Sequence, residues 1–296
     1  MTEIVVGTRG GLESVEARTE EIREPIVALG AAGDARWALL GRGDLLRGDD
    51  GQWEREASLQ GYAGRCLLPT DEGVLVGTSE AHLFRLRRSA LELEDAFEQV
   101  PGRDHWYTPW GGPPDTRSMS VDRAGTVYVN VHVGGIVRAR HGGGWEPTID
   151  IDADVHQVLG HPSRESFVLA ACAGGLATSD DGGDTWDVTA DGLHGSYCRA
   201  VAVAGDTVLV SASTGPFTSQ AAVYRRPLDA DAPFDRCGDG LPEWFPSNID
   251  SHCLAALGSV VAFGTDEGEV WVSDDEGRTW DRAAAEIPAV TCLLMT

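Results

Sequence analysis

Five short segments of the chain open on a cation or an imidazole and continue into small or apolar residues. They are Arg65-Cys66-Leu67, Arg117-Ser118-Met119, His156-Gln157-Val158, Arg199-Ala200-Val201 and His252-Cys253-Leu254. A sixth, Thr291-Cys292-Leu293, keeps the pattern without the charge, and Pro25-Ile26-Val27 is the seventh candidate. The formal net charge is −24, with 23 basic residues against 47 acidic ones. Three Arg and two His at one recurring position is a selective placement in so acidic a chain. A guanidinium fork matches a carboxylate, sulfate or phosphate bidentately, so the chemistry indicated is recognition of an anionic group. The competing reading pairs each Arg with a carboxylate of the next repeat, such as Asp115, Asp154 or Asp250. Alternate strand residues face opposite ways, so the sequence leaves both readings open.

Loops expected beside these segments add Glu80 and His82, His132, and Asp266 with Glu267. Aromatic rings come from His105-Trp106-Tyr107-Thr108-Pro109-Trp110, Leu193-His194-Gly195-Ser196-Tyr197 and Pro242-Glu243-Trp244-Phe245-Pro246. Rings beside Arg stack on sugars or planar ligands, or else plug the opening. The predicted ligand-binding set is Arg65, Arg117, His156, Arg199, His252, His132, Trp106, Tyr107, Tyr197 and Glu80. No catalytic residue is assigned.

Metal binding is the other chemistry in view. His132, His156, His194 and His252 are the candidate imidazole ligands. They have no HxH or HxxxH spacing, and neighbouring Arg opposes a dication, so no metal is predicted. P-loop, GxSxG and strand-linked GxGxxG patterns are absent, and no cofactor is predicted. The six cysteines, Cys66, Cys172, Cys198, Cys237, Cys253 and Cys292, form no CxxC pair and are expected as buried free thiols.

The elements that position these residues follow from an internal repeat. An aromatic followed by an acid recurs at Trp53-Glu54, Phe97-Glu98, Trp145-Glu146, Trp186-Asp187, Phe234-Asp235 and Trp280-Asp281. The intervals are 44, 48, 41, 48 and 46 residues, the length of a four-stranded propeller blade. Each period starts with a short apolar strand, such as 198–203. A second strand follows, at 74–78, 127–130, 167–170, 208–211 or 260–263. After a Gly-containing turn comes a third, at 83–85, 136–138 or 270–272. The aromatic is expected on the fourth. Runs of β-branched residues punctuated by Gly, Asp and Pro carry these assignments. Ile4–Thr8 reads as a second strand with no first before it, and 290–294 as a first strand with no second after it. Sharing one blade, they complete a ring. The prediction is an all-β, seven-bladed propeller with four-stranded antiparallel blades, forming a single domain over residues 1–296.

Two turns between third and fourth strands carry a fuller motif. Ser179-x-Asp181-x-Gly183-x-Thr185-Trp186 and Ser273-x-Asp275-x-Gly277-x-Thr279-Trp280 both read S-x-D-x-G-x-T-W, and Asp49-Asp50-Gly51-Gln52-Trp53 is a worn copy. This resembles the Asp-box of the BNR-repeat, sialidase-like propellers, within the wider group of WD40/YVTN-like repeat proteins. The resemblance implies that the boxes are folding devices placed away from any active site. Sialidases use three Arg for the substrate carboxylate, a Tyr–Glu nucleophile pair and an Asp acid/base. Here Arg65, Arg117 and Arg199 match the first in type, and Tyr107 or Tyr197 with Glu80 the second. The family's Arg-Ile-Pro is missing, with Arg23-Glu24-Pro25 its nearest equivalent. BNR-like propellers similar to photosystem assembly factors act instead as platforms with an Arg-rich patch. A ligand- or partner-binding propeller is therefore the first functional expectation. A glycoside hydrolase or lyase acting on an anionic sugar is the second.

The bulk charge narrows the partners. A field of −24 repels nucleic acid and anionic membrane, leaving an anionic small molecule held locally by Arg, or a protein. All 23 basic residues are Arg. An acidic, Lys-free surface resembles those of salt-accumulating halophiles, where charge is screened within a few ångströms. The start Met1-Thr2-Glu3-Ile4 lacks a basic, apolar leader, and no apolar run approaches about 20 residues. A cytoplasmic monomer is expected.

Overall fold

The computed structural model describes residues 2–15, 22–49 and 51–296. Six four-stranded antiparallel sheets follow one another along the chain, spanning residues 26–58, 64–93, 115–149, 155–189, 197–236 and 254–284. Within each, strand order in space is strand order in sequence. A seventh sheet unites the chain's two ends. Ile4–Thr8 lies between Gly11–Ser14 and Val290–Met295, with Ile4 opposite Met295 and Val6 opposite Leu293. It has three strands among the described residues. The fold is an all-β, seven-bladed propeller.

Burial grades across each blade and explains why the second strands were legible. Val168–Cys172 and Thr207–Ser213 are buried at every position, and Gly73–Thr78 at all but its first. A strand covered on both faces reads as a continuous apolar run rather than an alternation. The fourth strands are the opposite case. Ala90–Leu93, Asp187–Thr189 and Asp281–Ala284 are mostly exposed, and their sequences are correspondingly polar or short.

The chain divides into two compact units. One comprises Met1–Ile26, Ala171–Ala177 and Val188–Thr296; the other Val27–Ala170 and Thr178–Asp187. The first has an aromatic core of Phe245, Phe263, Trp271 and Trp280, with Trp280 edge-on to Phe263 at 5.0 Å between ring centres. The second is built on Leu39, Leu45, Leu75, Leu83, Phe97 and Val129. Buried Arg138 braces it. Its guanidinium donates to Glu146 at 2.9 Å, to Asp184 and to the Gly182 carbonyl, which Tyr128 also reaches. Phe97 departs from its expected place. It sits in a 3-10 turn, Phe97–Gln99, after the fourth strand has ended, fully buried against Trp145 at 5.2 Å.

The two S-x-D-x-G-x-T-W turns have the same internal wiring. Asp181 accepts from the Ser179 hydroxyl (2.8 Å), the Thr185 amide (2.9 Å) and the Thr185 hydroxyl (2.6 Å). Asp275 accepts from Ser273 (2.8 Å), the Arg278 and Thr279 amides (2.9 Å each) and the Thr279 hydroxyl (2.8 Å). Trp186 and Trp280 donate their indole N–H to the carbonyls of Gly183 and Gly277. Gly277 has φ +81, and a Cβ there would lie 2.6 Å from Leu209, so both conformation and space require glycine. The boxes consume their polar groups in holding the turn. Asp50, in the worn copy, lies outside the described residues.

These hydrogen bonds favour the ionised carboxylates. Those from Thr185 hold the Asp181 carboxyl well below the usual range, and those led by the Thr279 amide hold Asp275 at about 2. A carboxyl depressed in the fold stabilises it fully above its unfolded value, about 3.9, and loses that contribution as pH falls through the folded value. Thermal melts of Asp181→Asn/Asp275→Asn and of the parent chain, from pH 5 to pH 2, are expected to show a shallower acid slope in the variant. Equal slopes would remove the boxes from the acid transition.

Among the described residues no helix is long and apolar enough to cross a membrane. All six cysteines are buried, and none is in a disulfide. Burial pushes the Cys237 and Cys292 thiols up to about 12, so they pack as thiols rather than reactive thiolates.

Candidate functional site

The aligned positions Arg65, Arg117, Arg199 and Thr291 share one local geometry. Each lies where the first strand of its blade slips register by one residue against its neighbour. Gly64 and Cys66 face Thr78 and Gly77; Thr116 and Ser118 face Val131 and Asn130. Cys198 and Ala200 face Ala212 and Ser211; Cys292 and Val290 face Gly7 and Thr8. A β-bulge frees its extra residue from the ladder and re-aims the side chain. The next residue returns to the core, as Cys66, Ser118 and Ala200, all fully buried, show.

Two of the three arginines turn toward the carboxylates of the competing reading. Arg65 Nε is 3.1 Å from Asp115 Oδ2, and Arg199 Nη1 is 3.1 Å from Asp250 Oδ1. Arg199, 15% exposed, also lies over the Tyr197 ring at 5.3 Å. His252 has a left-handed backbone, φ +66, just before strand Leu254–Leu257, and its carbonyl accepts from the Leu293 amide. Asp115 and Asp250 stand two residues before Arg117 and His252, the first positions of the following blades. Asp154 stands likewise before His156.

Within the second unit, Arg117, His132, Asp154, His156 and Trp110 form one cluster. His132 ends strand Val127–His132, and His156 lies on Val155–Gly160. Asp154 closes the 3-10 turn Ile151–Ala153 in the left-handed region. His132 Nε2 is 3.2 Å from Asp154 Oδ1, and Arg117 Nη1 is 3.1 Å from His132 Nδ1. His156 Nε2 is 3.7 Å from Asp154 Oδ2. Trp110 leans over His132 at 5.1 Å between centres, while its outer face stays in solvent at 65% exposure. Its loop is pinned by Thr108 Oγ1 donating to the Gly112 carbonyl at 2.6 Å. Burial raises the Asp154 pKa. The His132 hydrogen bond and the charges of His156, His132 and Arg117 outweigh it, holding Asp154 ionised below its usual range.

The remaining predicted residues are dispersed. Trp106 packs on Phe97 and under the Arg103 guanidinium, 4.8 Å from the ring centre. Tyr107 is exposed. Glu80 is exposed in the turn after Gly73–Thr78, and Tyr197 belongs to the other unit. A polar cluster that the sequence did not bring together joins His82, one of the expected loop residues, with Glu98 and Arg103. Glu98 is 3.0 Å from His82 Nδ1 and 2.8 Å from Arg103. In the first unit, Tyr224 donates to His194 Nδ1 at 2.7 Å, and Trp244 packs beside that imidazole at 4.5 Å.

Seven antiparallel sheets following one another along the chain, the last joining its two ends, define a β-propeller. The chain matches no protein-family model, and no curated protein matches it. Among solved structures it is similar to the RRP9 WD40 repeats (17% identity, TM-score 0.64, covering 92% of this chain and 84% of that one). It is also similar to the WD40 β-propeller domain of Doa1 (14%, 0.63, 94% and 85%). A third is the GH74 xyloglucanase from Xanthomonas campestris (14%, 0.60, 87% and 45%). At these identities the likeness shows the fold: a seven-bladed propeller with WD40 neighbours.

Proposed function

We propose that the chain is a partner-binding propeller of the BNR/Asp-box kind, whose Arg/His mouth takes a partner through an anionic group. One observation carries this reading. Trp110 is held with one face in solvent and the other on His132, beside Arg117. Trp and Arg are the residue types that dominate binding hot spots, and an aromatic already fixed in place loses little freedom on association. The two box turns, with their polar atoms engaged internally, support the Asp-box assignment. The acidic, Lys-free composition supports a cytoplasmic, halophilic setting, and the proposal takes residues 1–296 as one monomeric domain.

The second reading, hydrolysis or lysis of an anionic sugar, needs a protonated carboxyl to act as general acid. Asp154 is held ionised instead. The xyloglucanase likeness adds no residue to that reading. The test is thermal shift with citrate, sulfate and glucuronate. All three are expected to raise the melting temperature. Arg117→Ala should abolish the rise and Trp110→Ala should reduce it, each leaving the anion-free melting curve nearly unchanged. A shift retained in Arg117→Ala would sink the proposal.

A further inference from the structure

The geometry points to a transition-metal site at His132, Asp154 and His156, independent of the partner reading above. The three side chains each offer one donor atom, and all three atoms lie within 4.8 Å of one another. His132 Nε2 and Asp154 Oδ1 are 3.2 Å apart, and His156 Nε2 and Asp154 Oδ2 are 3.7 Å apart. Ligands at about 2.1 Å from a tetrahedral ion stand about 3.4 Å from each other, and each imidazole stands near that spacing from one of the two oxygens of Asp154.

The donor set selects the class of ion. Two imidazoles and one carboxylate suit a borderline divalent ion such as Zn²⁺, Co²⁺ or Ni²⁺, whereas Mg²⁺ and Ca²⁺ want oxygen shells. The donors are also held in place. His156 is wholly buried on its strand, His132 sits on an adjoining blade strand with Trp110 over its ring, and Asp154 is fixed by a left-handed backbone. The Asp154 side chain is 29% exposed, while its Oδ1 beside His132 is buried.

Arg117 sets the terms of binding. Its Nη1 lies 3.1 Å from His132 Nδ1 and 3.3 Å from Nε2, so it crowds both nitrogens. An imidazole that coordinates through Nε2 carries its proton on Nδ1, where it cannot accept from a guanidinium. The metal and the Arg117 contact therefore exclude each other, and the guanidinium swings outward when the ion binds. Removing Arg117 removes that competition.

The experiment is calorimetric titration of the untagged, chelator-treated full chain with Zn²⁺, and with Co²⁺ followed by its visible absorption. One equivalent is expected to bind. Loss of an outer-shell partner to a metal site costs about 10–100-fold in affinity, so loss of a ligand in His132→Gln or Asp154→Asn should cost at least about 100-fold. Arg117→Gln should tighten binding about tenfold. Melting curves establish that each variant is folded, and the exposed-side variant Asp154→Asn keeps the test available if His156→Ala does not fold. No saturable binding by the parent chain, or affinity unchanged in both His132→Gln and Asp154→Asn, overturns the site. Weaker binding in Arg117→Gln overturns the competition. Anion-induced thermal shifts, measured without metal, report on the partner reading separately.

Discussion

Deleting residues 290–296 is expected to abolish the cooperative thermal transition of the chain. Val290–Met295 is the strand that covers one edge of Ile4–Thr8, and its loss exposes a row of backbone donors and acceptors there. Val290, Cys292 and Leu293 leave the core, each less than a tenth exposed. Burying a large apolar side chain is worth about 1.5–3 kcal/mol, so Val290 and Leu293 alone account for about 3–6 kcal/mol, against the roughly 5–15 kcal/mol total of an ordinary domain. The segment also ties elements outside its own sheet. The Leu293 amide donates to the His252 carbonyl at 2.9 Å, the Val290 amide to Thr265 at 3.0 Å, and the Thr291 hydroxyl to Ile26 at 2.5 Å. The His252, Thr265 and Ile26 carbonyls would each lose a donor, which adds to the loss. Circular dichroism melts of residues 1–289 and of the full chain measure it. An unchanged, cooperative transition in the shortened chain would show that the closing blade is dispensable.

The closing blade was legible because its two half-signals were unbalanced. Ile4–Thr8 looked like a second strand lacking a first, and its antiparallel partner is the segment that looked like a first strand lacking a second. The aromatic-acid repeat was legible as a period but not as an element. Phe97 keeps the interval and yet sits in a 3-10 turn. Glu94-Asp95-Ala96 before it has no β-branched residue, and the Phe97 amide bonds back to the Glu94 carbonyl. Its ring still reaches the core, so packing preserved the spacing while the backbone changed.

The recurring Arg position was legible, but the directions of its side chains were not. Sequence reasoning about direction rests on strict two-residue alternation. That alternation fails at a bulge, and Arg65, Arg117 and Arg199 each occupy one. A signal for the pairing was present all the same. Asp115-x-Arg117, Asp154-x-His156 and Asp250-x-His252 repeat one spacing, and each Asp lies beside a basic residue of the preceding blade. The His82–Glu98–Arg103 cluster had no such signal. His82 comes from a hairpin turn, Glu98 from the repeat's displaced Phe97-Glu98 pair and Arg103 from the insert that follows, and no shared spacing links the three.

Trp280→Ala is expected to destabilise the chain by about 3–5 kcal/mol, and Trp186→Ala by clearly less, although both end the same motif. Trp280 is 4% exposed, edge-on to Phe263 in an aromatic core shared with Phe245 and Trp271, while Trp186 is only half-buried. Each indole N–H bonds its box glycine, so that interaction cancels in the comparison. What differs is the cavity. Truncating Trp280 leaves a void walled by rigid rings, which relax poorly, and cost rises with the volume that fails to collapse. Solvent already reaches part of the Trp186 ring, so its removal returns less apolar surface to water. Urea unfolding of the two variants beside the parent chain gives both values. Equal losses would mean that the motif's local hydrogen bonds, rather than the core each tryptophan enters, set its contribution to stability.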